Sequence, residues 1–377
     1  MLFLLVTAAL AEPVIDLQPH VQVRPRLEAH TGKDGAAGGE ALFVTQRSRL
    51  GLDATAGDVF ARVSVQDVRL WGTETSTIGD FTADAVDFHE AYLRWSASDA
   101  LTLTAGRQEI TFNEHRLVGS VNWTSQARSF DALRMQLATD AFHADLSAVM
   151  MGEDSGGLVT EDYLTVFFKA GITPGETGAI DLVSVTDKQE DLLRETVGLY
   201  AKGGTGILSG RVEGYAQLGS SGNDDIMAWM VAVQGTIAPE ASIKPKITLW
   251  YDLLSGDDDA GDGTISAFNT LYATNHKFYG HMDVMAFRLG AMADGRGLHD
   301  AALKLGIKPT DKLALNLDAH VYAAMAGDDG LIGEELNLWL GMPLSKHLKL
   351  AAGGAGMMYA DGSDMDVFGW LQLDAKI

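Results

Sequence analysis

Apolar and polar residues alternate with period two along most of this chain. Val59-Phe-Ala-Arg-Val-Ser-Val65 and Leu313-Ala-Leu-Asn-Leu-Asp-Ala319 are clear cases. Period two sends successive side chains to opposite faces of a strand. Helical periodicity is weak throughout, and past the first residues no apolar run approaches the roughly 18 residues a spanning helix needs. Eighteen strand-like segments can be placed, at 21–28, 45–54, 59–69, 88–95, 101–110, 129–137, 142–150, 163–170, 179–186, 196–202, 207–217, 226–236, 243–253, 299–307, 313–323, 334–340, 348–358 and 367–377.

The connections alternate in length. Short ones fall at 55–58, 96–100, 138–141, 171–178, 203–206, 237–242, 308–312 and 341–347; long ones at 29–44, 70–87, 111–128, 151–162, 187–195, 218–225, 254–298, 324–333 and 359–366. Transmembrane barrels have this rhythm, with short periplasmic turns and longer external loops. The expected fold is therefore an all-β, transmembrane antiparallel barrel of eighteen strands, with sixteen as the alternative count. A solenoid or propeller would repeat a motif per unit, and none is seen. A sandwich would rarely need so many strands.

Residues 1–11 read as a secretory signal. Leu2 to Leu10 are apolar, and Ala9-Leu10-Ala11 is a small-x-small cleavage site. Residues 12–377 are then one barrel domain. The absence of cysteine suits export to an oxidising compartment, here the outer membrane of a Gram-negative cell. A formal charge of −23 argues against a nucleic-acid partner.

In a membrane barrel the apolar face meets lipid and the polar face lines the lumen. This assigns Arg24 and Arg26 with Glu28, Arg47 and Arg49, Arg62, Glu90 with Arg94, and Arg134 to the lumen. Arg107 and Glu109 share the parity of lipid-facing Leu103 and Ala105, so a bulge at Gly106 is expected to swing both inward. Eleven of the fifteen arginines lie in the first 134 residues. One wall should therefore be Arg-lined, either as an anion path or as a salt-bridged lining that keeps the pore wet.

The run Gly106 to Leu117 (GRQEITFNEHRL), then Asn122-Trp123, then Arg128 to Arg134 (RSFDALR), resembles the signature of the alginate-export family of outer-membrane proteins. Phe268 to Asp283 (FNTLYATNHKFYGHMD) is similar to that family's later motif. The resemblance implies an eighteen-stranded barrel and a pore lined by Arg and acidic side chains, with an anionic polysaccharide as the founding members' cargo. Arg107, Glu109, Arg116, Arg128, Asp131 and Arg134 match motif positions. Two departures are noted: the chain is short for the family, and it ends in Ile377 rather than an aromatic residue, with Phe368 and Trp370 nearby.

The connection 111–128 carries charge and apolar anchors. Together with Asp131 just beyond it, Glu114, Arg116, Trp123 and Arg128 are expected to fold inward and narrow the pore. Asp257, Asp258, Asp259 and Asp262 form a weak Ca²⁺ candidate, since Ca²⁺ takes clustered oxygens, although the spacing is not that of an EF-hand. Such a loop could also bridge to lipopolysaccharide through divalent cations. His276, His281 and Asp283 lack helix-face spacing for a metal, and no nucleophile elbow, HExxH or P-loop is present. No cofactor and no catalysis are expected. The functional expectation is a monomeric passive channel for an anionic saccharide or small anionic solute, set in the lipid bilayer by the barrel-assembly machinery. The alternative is a structural or adhesion barrel with a plugged lumen.

Overall fold

A computed structural model describes residues 14–31, 40–72, 86–152, 162–285, 295–327 and 330–377. The expected signal at 1–11 lies outside these residues. The strands are β1 (Asp16–Thr31), β2 (Glu40–Ala56), β3 (Val59–Leu70), β4 (Asp87–Ser96), β5 (Leu101–Gln108), β6 (Phe130–Ala138), β7 (Phe142–Gly152), β8 (Tyr163–Ile172), β9 (Ala179–Gln189) and β10 (Leu192–Thr205). They continue with β11 (Leu208–Ser221), β12 (Asp224–Ile237), β13 (Lys246–Leu254), β14 (Thr264–Ile265), β15 (Leu298–Ile307), β16 (Ala314–Ala323), β17 (Leu331–Pro343), β18 (Leu348–Tyr359) and β19 (Asp366–Lys376). β14 is a two-residue strand within a loop, paired parallel to β12. The other eighteen form one antiparallel ring, closed where β1 pairs with β19 from Gln22↔Lys376 to His30↔Phe368. All eighteen expected segments are strands.

The outward face is apolar, with Leu50, Leu93, Leu133, Leu249 and Leu338 exposed. Trp95 and Phe142 lie outward near the short-turn end, and Trp71 and Phe88 near the other. Such aromatic girdles sit at the two membrane–water interfaces of a barrel.

Two connections expected to be long are tight hairpins. Only residues 190–191 join β9 to β10, and only 222–223 join β11 to β12, with Gly222 at φ 60°. The ladders run through the Gly/Asp-rich stretches that read as loops: Leu192 pairs with both Gln189 and Ser221. Polar residues above the apolar band keep the strand hydrogen bonds because water, not lipid, surrounds them there.

The expected bulge at Gly106 does not occur. Gly106 has φ 118°, yet β5 pairs with β4 and β6 without a register shift. The shift lies instead between β3 and β4: Ser64 pairs with Glu90 and Val65 with Phe88, making His89 the extra residue. His89 and Glu90 can then both point inward, as bulges allow. Arg107 stays on the outer face, where its Nε donates to Phe88 O at 2.8 Å and its Nη1 to Asp131 at 2.9 Å. No bulge is needed there, because β5 ends one residue later and the pair lies near the outer rim.

The ring sets a topological prediction. Glu176, between β8 and β9, and Asp258, between β13 and β14, belong to opposite ends. The chain has no native cysteine. Single Glu176→Cys and Asp258→Cys variants should react with an impermeant maleimide from opposite sides of the membrane; labelling from one side would refute the arrangement.

Candidate functional site

Two connections from the long-loop end fold into the barrel, 109–129 and 266–285. They pair with one another. Gly119 N donates to Tyr272 O at 2.8 Å, Tyr272 N to Leu117 O at 2.9 Å, and Thr274 N to His115 O at 3.0 Å. Gly119 permits this approach, since a Cβ there would come within 2.3 Å of Thr274 Oγ1. Non-glycine residues at positive φ cluster in these segments: Asn113, His115, Val121 and Ala127 in the first, Leu271 and Asp283 in the second. Strained backbone of this kind persists only where its surroundings over-determine it.

The surroundings do so in three ways. The first is an apolar core inside the lumen. Ile110, Phe112, Leu117 and Val118 from the first segment, and Phe268, Phe278, Tyr279 and Met282 from the second, pack with inward-facing Phe130, Val149, Phe167 and Val185 of the wall.

The second is a buried charge cluster. Arg116 is almost fully enclosed. Its Nη1 donates to Asp252 at 2.6 Å and to Tyr279 Oη at 2.9 Å, and its Nε to Glu213 at 3.2 Å. Phe278 lies under the guanidinium, 3.7 Å from ring centroid to Cζ. Burial opposes the charge on Arg116, but Asp252, Tyr279 and Glu213 outweigh it and raise the pKa well above the ordinary value.

The third is a clamp at the root. Glu109 and Ser129 are the first and last residues of the first segment, and both hydrogen-bond the ring of His89, at 2.7 and 3.1 Å. Burial pushes the Glu109 carboxyl up, but His89, Arg49 and Arg47 hold it below its ordinary value. The β4 bulge thus turns His89 inward to pin both ends of the segment.

The Arg wall divides accordingly. Arg24 donates to the backbone oxygens of Asn122 and Thr124, each at 2.7 Å. Arg26 donates to Trp123 O at 2.6 Å, pairs with Glu28 and lies over the Trp123 ring at 4.3 Å. Arg47 donates to Asn122 Oδ1 at 2.7 Å. These three hold the inward segment. Trp123 continues the contact as a stack on His276 at 4.1 Å, and His276 stacks on His281 at 4.8 Å. Arg128 donates to Tyr272 O.

Nearer the short-turn end Arg62, Arg94 and Arg134 line open wall, while Arg49 lies at its edge and donates to Gln126 O of the inward segment at 3.5 Å. Arg62 pairs with Asp53 at 2.6 Å and Glu90 at 3.5 Å, and Arg134 with Asp145. Arg49 contacts Gln66 at 3.1 Å and lies 3.8 Å from Glu109. Arg94 contacts Tyr92 Oη at 3.2 Å and forms no ion pair among the described residues. Glu114 sits at the tip of the first segment between Lys277 at 3.0 Å and Lys202 at 3.6 Å. Burial raises its pKa, but the lysines outweigh this and hold it at about 2.

Of the residues expected in the constriction, Glu114, Arg116, Trp123 and Arg128 lie inside the barrel, whereas Asp131 lies on β6 facing outward with Arg107. The four loop aspartates are not gathered for Ca²⁺. Asp257, Asp259 and Asp262 accept from backbone amides of their own loop, and no group of three metal-ligating side chains occurs among the described residues. Sequence reasoning did not single out His89, Glu213 or Asp252, and it marked Phe268 to Asp283 as a family motif without placing it inside the barrel. A signal for the packed lumen does exist: Tyr163-Leu-Thr-Val-Phe-Phe168 is apolar on both faces, which a water-filled lumen would not require.

A family model described as alginate export matches residues 17–366. No curated protein matches the sequence. Among solved structures, Acinetobacter baumannii OccAB4 superposes with a TM-score of 0.69 at 12% identity, covering 97% of this chain and 99% of that one. A BenF-like porin from Pseudomonas fluorescens Pf-5 gives 0.68 at 12%, covering 96% and 98%. Pseudomonas aeruginosa OccK2 (OpdF) in complex with glucuronate gives 0.67 at 12%, covering 96% and 98%.

The Arg116 cluster generates a stability prediction. Arg116→Met leaves Asp252 and Glu213 buried without their shared cation, a change that costs about 3–5 kcal/mol. The variant should show a lower urea midpoint and faster trypsin cleavage at Lys277. An unchanged cleavage rate would mean that the inward segments do not depend on Arg116.

Proposed function

The chain belongs to the alginate-export family, and from that membership we propose that it is a passive outer-membrane channel for anionic saccharides. The observation that carries this reading is the arginine-lined wall of Arg62, Arg94 and Arg134 on the short-turn side of the inward segments, continued by Arg49 at their edge, with Arg94 outside any ion pair among the described residues. A surplus of carboxylates elsewhere does not cancel it. At about 7 Å in water-like dielectric one charge contributes about 0.6 kcal/mol, while the Debye length near physiological salt is about 8 Å, so distant loop carboxylates are screened. Each contact is weak enough for a polyanion to step between sites. Arginine suits the task because its planar fork matches a carboxylate, and Asp53, Glu90 and Asp145 temper the attraction. OccK2 in complex with glucuronate supplies an example of a carboxylated sugar held by a barrel of this shape.

In this reading residues 1–11 direct export and are removed. The barrel-assembly machinery inserts the mature chain as a monomer, and lipopolysaccharide surrounds the loop end. The lumen chemistry is that of a path rather than of an enzyme.

Reversal potentials across a salt gradient should show anion preference in the wild type, reduced in Arg49→Gln/Arg62→Gln/Arg94→Gln. Cation preference in the wild type, unaltered in the triple variant, would reduce the Arg wall to a structural lining.

The apolar core of the inward segments favours a second reading, a lumen plugged for a structural role. Deleting Val118 to Gln126 removes the carbonyls that hold Arg24 and Arg26 as well as steric bulk. In a channel this should raise an already measurable single-channel conductance and increase its anion preference. A wild type with no steady current, opened only by the deletion, would support the plug.

A further inference from the structure

On the short-turn side, across from the Arg wall, the inner surface holds a cavity of roughly 510 Å³. Glu114, Tyr200, Lys202, Arg211, Gln234 and Lys246 contribute its polar lining. β10, β11, β12 and β13 supply all of these but Glu114, which reaches down from the inward segment. The register places Lys202 opposite Arg211, and Arg211 opposite Gln234.

The charges in this cavity are unbalanced. Lys202 and Lys246 face one carboxylate in the cavity, that of Glu114, which also serves Lys277, and Arg211 adds a cation backed by Glu213. Lys246 forms no ion pair among the described residues. Arg211 is 8% exposed. Its Nε lies 3.3 Å from Glu213, which Arg116 also engages, and neither its Nε nor its Nη2 has a hydrogen-bond partner. Its guanidinium rests on Trp250, 4.5 Å from ring centroid to Cζ, which fixes its plane. Both of these nitrogens are enclosed, so Arg211 acts on an anion in the cavity through its charge. Around the cations stand Tyr200 Oη, 3.3 Å from Glu114, and the amide of Gln234. Such groups suit the hydroxyls of a sugar ring.

We propose that this cavity is a binding site for a carboxylated sugar entering or leaving at the short-turn mouth, and that Glu114 occupies the carboxylate position until the cargo displaces it. The proposal rests on the channel reading above and adds a site on the opposite wall. Glu114 is the natural stand-in: it is a carboxylate, it is ionised, and it bridges Lys202 on the wall to Lys277 on the second inward segment. A cargo carboxylate that takes Lys202, drawn by the charges of Arg211 and Lys246, leaves Glu114 with Lys277 as its one cation among the described residues. The cargo thereby loosens the tip of the constriction it has to pass.

The test is current block in planar bilayers by sodium glucuronate added from the short-turn side, with glucose as the uncharged control. Glucuronate should reduce the chloride current saturably and glucose should not. Lys202→Gln and Lys246→Gln change exposed side chains and leave the buried cluster intact; each should raise the half-blocking concentration roughly threefold, the factor for one screened charge at close range. Glu114→Gln should lower it, because the competitor is gone. Opposite signs on the two sides of one ion pair are not expected from structural damage. Equal half-blocking concentrations in the wild type and all three variants, with a shift only in Arg49→Gln, would overturn the cavity while leaving the channel reading standing. A wild type that conducts neither chloride nor glucuronate would instead refute the channel reading. Calorimetric titration of the purified barrel with glucuronate, using the same variants, would then decide the site alone: the same order of affinities supports it, and absence of binding or equal affinities overturns it.

Discussion

Closure of the ring between β1 and β19 is the constraint from which the remainder follows. Within hydrocarbon no water can satisfy a free backbone amide, so a sheet that crosses a bilayer can have no edge. The register from Gln22↔Lys376 to His30↔Phe368 meets that demand with the two ends of the chain. Once the ring closes, alternation along each strand has only one consistent meaning. Across the hydrocarbon band the outward side chains are apolar and meet lipid, and most of the charged side chains share an enclosed space.

That enclosed space is narrower than alternation alone implies. Two inward segments fill part of it, and they are held by groups that a solvated pore would leave free. Arg24, Arg26 and Arg47 spend their donors on Asn122, Trp123 and Thr124, and Arg116 is enclosed by Asp252, Glu213 and Tyr279. Enclosed charges cost free energy unless fully paired, so these arginines fix geometry. Arg62, Arg94 and Arg134 stay toward the short-turn end, where a passing solute can meet them, and Arg49 stands at the boundary, in contact with Gln126 and Glu109. One residue type therefore does two jobs, divided by whether a segment from the far end of the barrel reaches it.

His89 illustrates how a local irregularity serves the whole. One extra residue in β4 turns this ring inward, and its two nitrogens take Glu109 and Ser129, the two ends of a 21-residue segment. The bulge sits one strand position from Glu90, which answers Arg62. The constriction and the charged wall are thus set by the same departure from regular pairing.

The sequence by itself determined the ring, because period-two alternation and turn spacing are local properties that each strand carries without reference to the others. It also fixed the lumen faces of Arg24, Arg47, Arg62, Arg94 and Arg134, which follow from parity alone. Parity failed where pairing departs from it. Nothing local distinguishes a bulge at Gly106 from one at His89, and the choice left Arg107 outside with Asp131. The tight turns at 190–191 and 222–223 were hidden because polar strand ends in water look like loops. Tertiary structure alone decided the partners of the inward segments. Arg116 lies 136 residues from Asp252 and 97 from Glu213 in sequence, and Lys202, Arg211 and Lys246 meet Glu114 only because strands from one wall and a loop from another end in the same space. Contacts of that range are set by closure of the barrel and by the buried charges that must find each other inside it, and neither leaves a mark at neighbouring positions in the chain.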